Sequence, residues 1–395
     1  MKNKNTKWII AGIVVIVIIF AAVIIIDNNT KPTGKVVQAA PEMTVKAKEP
    51  IKIGATLALT GSLSYIGQQE YNGMQMAVDE INANGGVNNQ KLQLIVEDNK
   101  GDPKEAVNTV NKLLQTDNPD IMFSAFTGIT QAVKQQIFDS GKIFFYVSTV
   151  PTIAQENQYT FRDYFDAYDA GTAITQEVAK EKYNKVKILA EISDQCVQFQ
   201  RGVEDEALKD NITIIAIEKY QVSQTDLKTN IMKLNLQQDD AVVLCTWRHE
   251  QIFMKQLKEL NLMKTRTFHI IAPYMPAGDN PKMRGLYEEN HAISTWYGFS
   301  EQPDTKLQEE FFAEYKEKYG DDPKADAVYA YDDIYVIAQA IEKCPSVSDK
   351  ECISQKMLET DYHGAGGKLS FDKDRNSQRE TILIQVKDGK WVNAR

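Results

Sequence analysis

The sequence has few of the residues and motifs on which catalytic and metal sites depend. It contains four histidines and four cysteines in 395 residues, and neither type shows the spacing of a metal-ligand motif. It also lacks a Gly-x-Ser-x-Gly nucleophile elbow, a dinucleotide-binding glycine fingerprint and the phosphate-binding loop of ATPases. We therefore predict that the chain is not an enzyme, holds no metal and uses no cofactor.

The four cysteines give two further expectations. Because the first of them is Cys196, no cysteine follows the apolar N-terminal run to carry a lipid. Cys344 and Cys352 flank a Pro-Ser turn, and outside the cytoplasm such a pair can form a disulfide. Cys196 and Cys245 lie in or beside predicted strand–helix units, where we interpret them as small buried residues.

Acidic residues outnumber basic ones, 54 to 45, and give a formal net charge of −9. Three of the lysines stand at positions 2, 4 and 7, so the rest of the chain is still more acidic. A surface of this sign argues against a nucleic-acid partner.

The N-terminus carries the one long apolar run. Residues 8–26 contain no charge and, as a helix, approximate the hydrocarbon thickness of about 30 Å. The basic flank is expected to stay in the cytoplasm, with everything after residue 26 outside. We interpret 1–26 as a retained signal anchor and 27–50 as a flexible tether, and a cleavable signal peptide remains the alternative.

Residues 51–97 show the pattern of a strand–helix–strand unit. The apolar stretch 51–59 precedes a turn of small residues, and 71–82 has helical periodicity. Gly85 and Gly86 are typical of a helix end, and 91–97 alternates as a second strand.

Strands and helices continue to alternate, which favours parallel sheets with helices on both faces. The predicted strands fall in two sets, at 120–124 and 142–147, and then at 186–192, 212–217, 241–245 and 267–271. Later helices are predicted at 306–319 and 325–343.

This arrangement resembles the type I periplasmic binding proteins, especially the leucine/isoleucine/valine-binding branch. The resemblance runs from residue 51 onward and includes the late Gly-x-Leu-x-Phe-Asp strand at 367–372. It implies an α/β fold of two doubly wound parallel-sheet lobes, joined by three crossing strands near 159–166, 292–299 and 367–372. Lobe 1 is then 51–162 with 298–367, and lobe 2 is 163–297 with 368–395.

In that family, two loops after neighbouring strands of lobe 1 bind the carboxylate of an amino acid. For this chain, the resemblance implies that the carboxylate contacts the hydroxyl of Thr127, a backbone group of Val147, and the hydroxyl and amide of Thr149. Helix N-termini and hydroxyls after strand ends suit an anion, although ordinary turn and capping roles explain the same residues. Tyr65 either walls the pocket or is a surface aromatic.

From lobe 2, Glu250 matches the acid that pairs with the ligand's amino group, although an acid in a first helical turn is also stabilising by itself. Phe199 stands where the family more often has an aromatic-glycine pair, which weakens the case for leucine. Arg162 serves either a second carboxylate or Asp163. The aromatic residues that either stack on the ligand or pack the crossings are Trp247, Trp296 and Tyr297.

The resemblance therefore implies the solute-binding component of an ABC transporter. It would close two lobes on an amino acid or similar small molecule and deliver it to a membrane permease. A ligand-sensing receptor that acts through a separate signalling partner remains the alternative.

Overall fold

A computed structural model of the protein describes residues 48–246, 249–269, 281–297, 303 and 305–394. The predicted anchor at 1–26 lies outside these residues, as do most of the tether and Trp247. Within the described ranges, no helix combines the length and apolar character that a membrane span needs.

The first sheet contains five parallel strands in the order β2-β1-β3-β4-β5. They are β1 Ile51–Leu57, β2 Leu92–Asp98, β3 Ile121–Ala125, β4 Ile143–Val147 and β5 Thr160–Arg162. Every residue of β3 and β4 is buried, which explains why these strands appear as continuous apolar runs in the sequence. The order reverses direction at β1, and this is where sheets of this kind place their ligands.

Four helices connect these strands. They are α1 Ser64–Ala83, α2 Pro103–Lys112, α3 Thr127–Ser140 and α4 Thr152–Gln155. Asp102 caps α2 by accepting hydrogen bonds from the amides of Lys104 and Glu105, as an acid before Pro103 is expected to do. A short π-helical turn, Leu113–Asp117, extends α2.

The second sheet has seven strands in the order β15-β14-β10-β9-β8-β6-β7. They are β6 Lys185–Glu191, β7 Thr213–Tyr220, β8 Ala241–Cys245, β9 Arg266–His269, β10 Ile293–Tyr297, β14 Thr381–Lys387 and β15 Lys390–Asn393. The first five are parallel, whereas β14 and β15 join antiparallel. This sheet therefore has a core of five parallel strands, in agreement with the predicted parallel sheet, and two antiparallel strands that the sequence did not predict extend it.

The helices of this region are α5 Ala167–Lys180, α6 Asp194–Lys209, α7 Lys228–Lys233, α8 Glu250–Glu259 and α9 Pro281–Asn290. Neither α5 nor α9 was predicted from the sequence. The side chain of Asp166 caps α5, and that of Ser193 caps α6. α5 and α6 pack against each other.

After β10 the chain returns to the first sheet. The helices here are α10 Lys306–Tyr319, α11 Ala325–Glu342 and α12 Lys350–Leu358. α11 packs along α1, and the hydroxyls of Tyr331 and Tyr335 both donate to Glu80 of α1.

A small antiparallel sheet follows these helices. Its strands are β11 Asp361–Gly364, β12 Gly367–Phe371 and β13 Ser377–Arg379. The predicted strand at 367–372 is thus present, and its Phe371 ring lies 5.3 Å from that of Phe161 on β5. The chain passes to the second sheet only after β13.

Two disulfides form, and one of them corrects the sequence analysis. Cys344 is bonded to Cys352, as the spacing allowed. Cys196 and Cys245 are buried as predicted, but they are also bonded to each other. The bond ties the first turn of α6 to the end of β8, because β6 and β8 are neighbours in the sheet.

Candidate functional site

A cavity of about 230 Å³ lies beyond the carboxyl ends of β3 and β4. It brings together three residues that the sequence analysis selected, Thr127, Val147 and Thr149. Gln195, one helical turn before Phe199, and Tyr164, two residues after Arg162, also line the cavity. The remaining lining residues are Leu63, Ile66, Glu70, Phe126, Ser148 and Asp326.

The hydroxyls of Thr127 and Thr149 lie 2.9 Å apart and share a hydrogen bond. Thr127 is the first residue of α3, and Phe126 before it has no side-chain atom that can cap the helix. Phe126 also has a positive φ of 68°, an unfavourable conformation for a bulky residue and one that is concentrated at functional sites. The arrangement directs two hydroxyls and a helix N-terminus into one space, where they can bind an anion.

Arg162 lies behind this part of the cavity rather than in its lining. Its Nε donates to the carbonyl of Ser148 at 2.6 Å and its Nη2 to that of Phe165 at 2.8 Å. The residue is 1% exposed, and burial lowers the pKa of its guanidinium. Asp163, the other partner considered for it, is paired with Arg379. Arg162 thus holds the Ser148 loop in place and adds positive charge behind the two threonines.

Glu70 and Asp326 are the lining residues that the sequence analysis missed. Glu70 lies on α1 and Asp326 in the first turn of α11, and they are 1% and 8% exposed. Burial raises the pKa of Glu70 well above its usual range, and the nearby carboxyl of Asp326 adds to the rise. Burial also raises the pKa of Asp326 to about 7. A signal for Glu70 was present, because it falls between Ile66 and Met74 on the buried stripe of α1.

Three other predicted site residues lie outside this cavity. Tyr65 is half-buried and lines a neighbouring cavity of about 450 Å³ with Tyr315 and Tyr319. Phe199 lies on α6 one turn after Gln195 and is fully buried in the core, so that Gln195 lines the cavity instead.

Glu250, the third of them, begins α8 and is 5% exposed. Burial raises its pKa to about 7, and Glu191 contributes to the rise. Of the aromatic residues considered for stacking, Trp296 and Tyr297 lie on β10.

No group of three or more His, Cys, Asp or Glu side chains suited to a metal ion occurs in the part of the chain that the structure describes.

Comparison with known proteins gives a consistent family. The family described as periplasmic binding protein matches residues 50–390. Leu/Ile/Val-binding protein homolog 7 of Brucella melitensis is 22% identical over 374 residues, which cover 88% of this chain and 91% of the relative. Leu/Ile/Val-binding protein homolog 8 of Brucella abortus is 23% identical over 367 residues, covering 87% and 89%.

Solved structures with the same fold include LivJ, a branched-chain amino acid transporter substrate-binding protein of Streptococcus pneumoniae, in complex with isoleucine. It matches with a TM-score of 0.72 and 22% identity, over 87% of this chain and 97% of that one. A solute-binding protein of an ABC transporter from Rhodopseudomonas palustris, in complex with 3,4-dihydroxybenzoic acid, matches with a TM-score of 0.72 and 17% identity, over 87% and 95%. These relatives are binding proteins, in agreement with the prediction that the chain is not an enzyme. The chain belongs to the periplasmic binding protein family, and its similarity to these proteins supports the predicted resemblance to the type I proteins of the branched-chain amino acid branch.

Proposed function

We propose that the protein is the extracytoplasmic solute-binding component of an ABC transporter and captures an amino acid or a similar small carboxylate. The observation that carries the proposal is the pair of hydroxyls on Thr127 and Thr149, 2.9 Å apart at the N-terminus of α3 and open to a cavity. The names of the relatives support it, because isoleucine and 3,4-dihydroxybenzoic acid are both small carboxylic acids.

The carboxylate is proposed to bind at the threonine side of the cavity. The two hydroxyls and the amides of the first turn of α3 donate to it, and the backbone at Val147 closes the other side. Donors that already point at the site lose little free energy in reorganising, and hydrogen bonds to a charged group are stronger than neutral ones. Arg162 contributes by holding the Ser148 carbonyl, which keeps the loop that carries Thr149 in position.

Capture is proposed to proceed by closure of two lobes, 51–162 with 298–367 and 163–297 with 368–395. Gln195 supports this idea, because it extends from α6 of the second sheet into the cavity beside β4 of the first. Its Nε2 is buried and has no hydrogen-bond partner among the described residues, so it is a donor that a solute can use.

Glu250 begins the helix after β8, at the same edge of the second sheet as Gln195. It is therefore proposed to reach the solute's amino group in the closed form. Tyr65 and Phe199 are proposed to contribute to the site from outside its lining, Tyr65 from the neighbouring cavity and Phe199 from the core.

The membrane partner is proposed to be an ABC permease, near which residues 8–26 would hold the protein as a single-pass anchor. Fractionation of cells that express the full-length chain tests the anchor. Recovery in membranes after an alkaline carbonate wash supports it, whereas recovery of a shortened protein in the soluble fraction indicates a cleaved signal peptide.

Isothermal titration calorimetry tests the binding function. The solutes are branched-chain, polar, acidic and basic amino acids, aromatic acids and small amides, with sugars as a control class. Saturable binding of one carboxylate class, abolished by blocking the carboxyl group as an amide, supports the proposal. Binding of sugars or amides in preference to every carboxylate contradicts it.

A further inference from the structure

The cavity has an acidic side that carboxylate capture leaves unexplained. Glu70 from α1 and Asp326 from α11 both line it, opposite in charge to the arginine and helix N-terminus at the threonine side. Both oxygens of Glu70 and Oδ2 of Asp326 are buried without a hydrogen-bond partner among the described residues. Buried polar groups are normally satisfied, so three such atoms at one site call for an explanation.

Packing of α1 against α10 and the start of α11 does not supply one. Gln69, the neighbour of Glu70, accepts hydrogen bonds from the Tyr315 hydroxyl at 2.8 Å and the Lys324 amide at 3.2 Å. The helix interface therefore satisfies the polar residue that faces it. Glu70 faces the cavity instead, where the described structure offers its carboxyl no donor.

The charged and titratable groups around the pair do not neutralise it. Asp326 is the charged neighbour of Glu70, and the Tyr315 and Tyr329 rings lie near Asp326. The guanidinium stacked on Tyr329 is that of Arg379, which is already paired with two other aspartates. Within the described ranges, no ion pair joins a basic side chain to Glu70 or Asp326.

We propose that Glu70 and Asp326, in addition to Glu250, form a subsite for a cationic nitrogen of the solute, an ammonium or guanidinium group, while the threonine side holds its carboxylate. The inference rests on the proposed function and narrows its solute class to small zwitterions or cationic amino acids. An ammonium group brings several N–H donors and a positive charge, and so satisfies both unpartnered carboxyls at once.

The pair also gives the subsite a measurable signature. Burial raises the pKa of Glu70 well above its usual range and that of Asp326 to about 7, so the empty pair holds protons more tightly than ordinary carboxyls do. A bound cation favours the ionised carboxylates. Binding of a cationic solute is therefore accompanied by proton release, which an uncharged solute end does not cause.

The test uses calorimetry on the full-length protein at pH 7 with four carboxylic acids of six carbons. Lysine has both an α and a distal ammonium, norleucine only the α, 6-aminohexanoate only the distal, and hexanoate neither. Each titration is repeated in two buffers of different ionisation enthalpy, which reports the protons released. We expect at least one ammonium-bearing acid to bind at least tenfold more tightly than hexanoate and to release protons. Which one does so identifies the α or the distal position.

Glu70→Gln and Asp326→Asn are expected to remove most of the affinity difference between that acid and hexanoate and to abolish the proton release. Retained hexanoate binding and a cooperative melting transition show that a variant is folded. Asp79→Asn, at an exposed position of α1, is the matched control. It is expected to change neither the affinity difference from hexanoate nor the proton release.

If hexanoate binds as tightly as all three amines, or more tightly than every one of them, the subsite is overturned and the proposed function is left standing. Unchanged amine binding in both variants also overturns the subsite alone. Absence of binding by every carboxylate overturns the proposed function and the subsite together.

Discussion

Arg379 on β13 and Asp163, just after β5, form a fully buried ion pair. The Nη2 atom of Arg379 lies 2.5 Å from Oδ2 of Asp163, and its Nε lies 2.9 Å from both carboxylate oxygens. Its Nη1 lies 3.3 Å from Asp332 of α11. The Asp163 segment leads the chain out of the first sheet and β13 leads it into the last strands of the second, so the pair joins two of the connections between the sheets.

Replacement of Arg379 by methionine is expected to destabilise the protein by about 3–5 kcal/mol, because it leaves Asp163 and Asp332 as uncompensated buried carboxylates. Urea denaturation followed by circular dichroism measures the loss. The matched control is Lys316→Met, which removes an exposed pair with Asp322 and is expected to change stability by less than about 1 kcal/mol. Similar losses in the two variants would contradict a special role for the buried pair.

Thr127→Val and Thr149→Val each remove one hydroxyl from the threonine side of the cavity while keeping the size of the side chain. If each hydroxyl donates to the carboxylate of the solute, each variant loses about 1.5–3 kcal/mol of binding free energy, or about 10- to 100-fold in Kd. Calorimetry with the tightest solute measures the change. Thr152→Val, at an exposed position of the same loop region, is expected to bind as the wild type does. Unchanged affinity in both cavity variants would show that the carboxylate binds elsewhere.

The two disulfides are expected to contribute unequally to stability. Cys196–Cys245 closes a loop with a sequence separation of 49, and Cys344–Cys352 one with a separation of 8. Loop-closure entropy then predicts losses of about 4 kcal/mol for the Cys196→Ala/Cys245→Ala double variant and about 2.5 kcal/mol for Cys344→Ala/Cys352→Ala. Urea denaturation of both variants under identical conditions tests the order, and a larger loss from the short loop would contradict the entropic argument.

The carboxylate side of the site could be predicted from the sequence because each of its parts is local. Thr127 and Thr149 each follow the end of an apolar strand within two residues, and parallel strands bring their carboxyl ends to one edge. The strands themselves are recognisable because burial on both faces makes them continuous apolar runs.

The acidic side could not be predicted in the same way, because it depends on contacts between distant segments. Glu70 and Asp326 meet only because α11 packs on α1, where a Cβ at Gly73 would overlap the carbonyl oxygen of Ala327. The Cys196–Cys245 bond was missed for the same reason, since it follows from the adjacency of β6 and β8. Neither helix packing nor strand order can be inferred from local periodicity.

Glu250 makes stability depend on pH in a defined direction. Its pKa is about 7 in the folded protein against an ordinary value of 4.5, because the carboxyl is buried. Between these two values the folded state binds more protons than the unfolded state, so this residue lowers stability as pH rises through the window. Below the window its carboxyl is protonated in both states and has no effect, and above it the loss is complete.

Glu250→Gln is therefore expected to be more stable than the wild type at pH 8, by up to about 3 kcal/mol, and equally stable at pH 4. The difference between the two proteins is the quantity to measure, because Asp326 and Asp332 also have raised pKa values and impose the same trend on both. Urea denaturation at intervals from pH 4 to pH 8 measures this difference in stability. Glu259→Gln, at the exposed end of the same helix and paired with Lys228, is the control and is expected to differ from the wild type by less than about 1 kcal/mol at pH 8. A difference that is constant over the whole range would assign the effect of Glu250→Gln to packing, since only titration of the carboxyl makes it grow with pH.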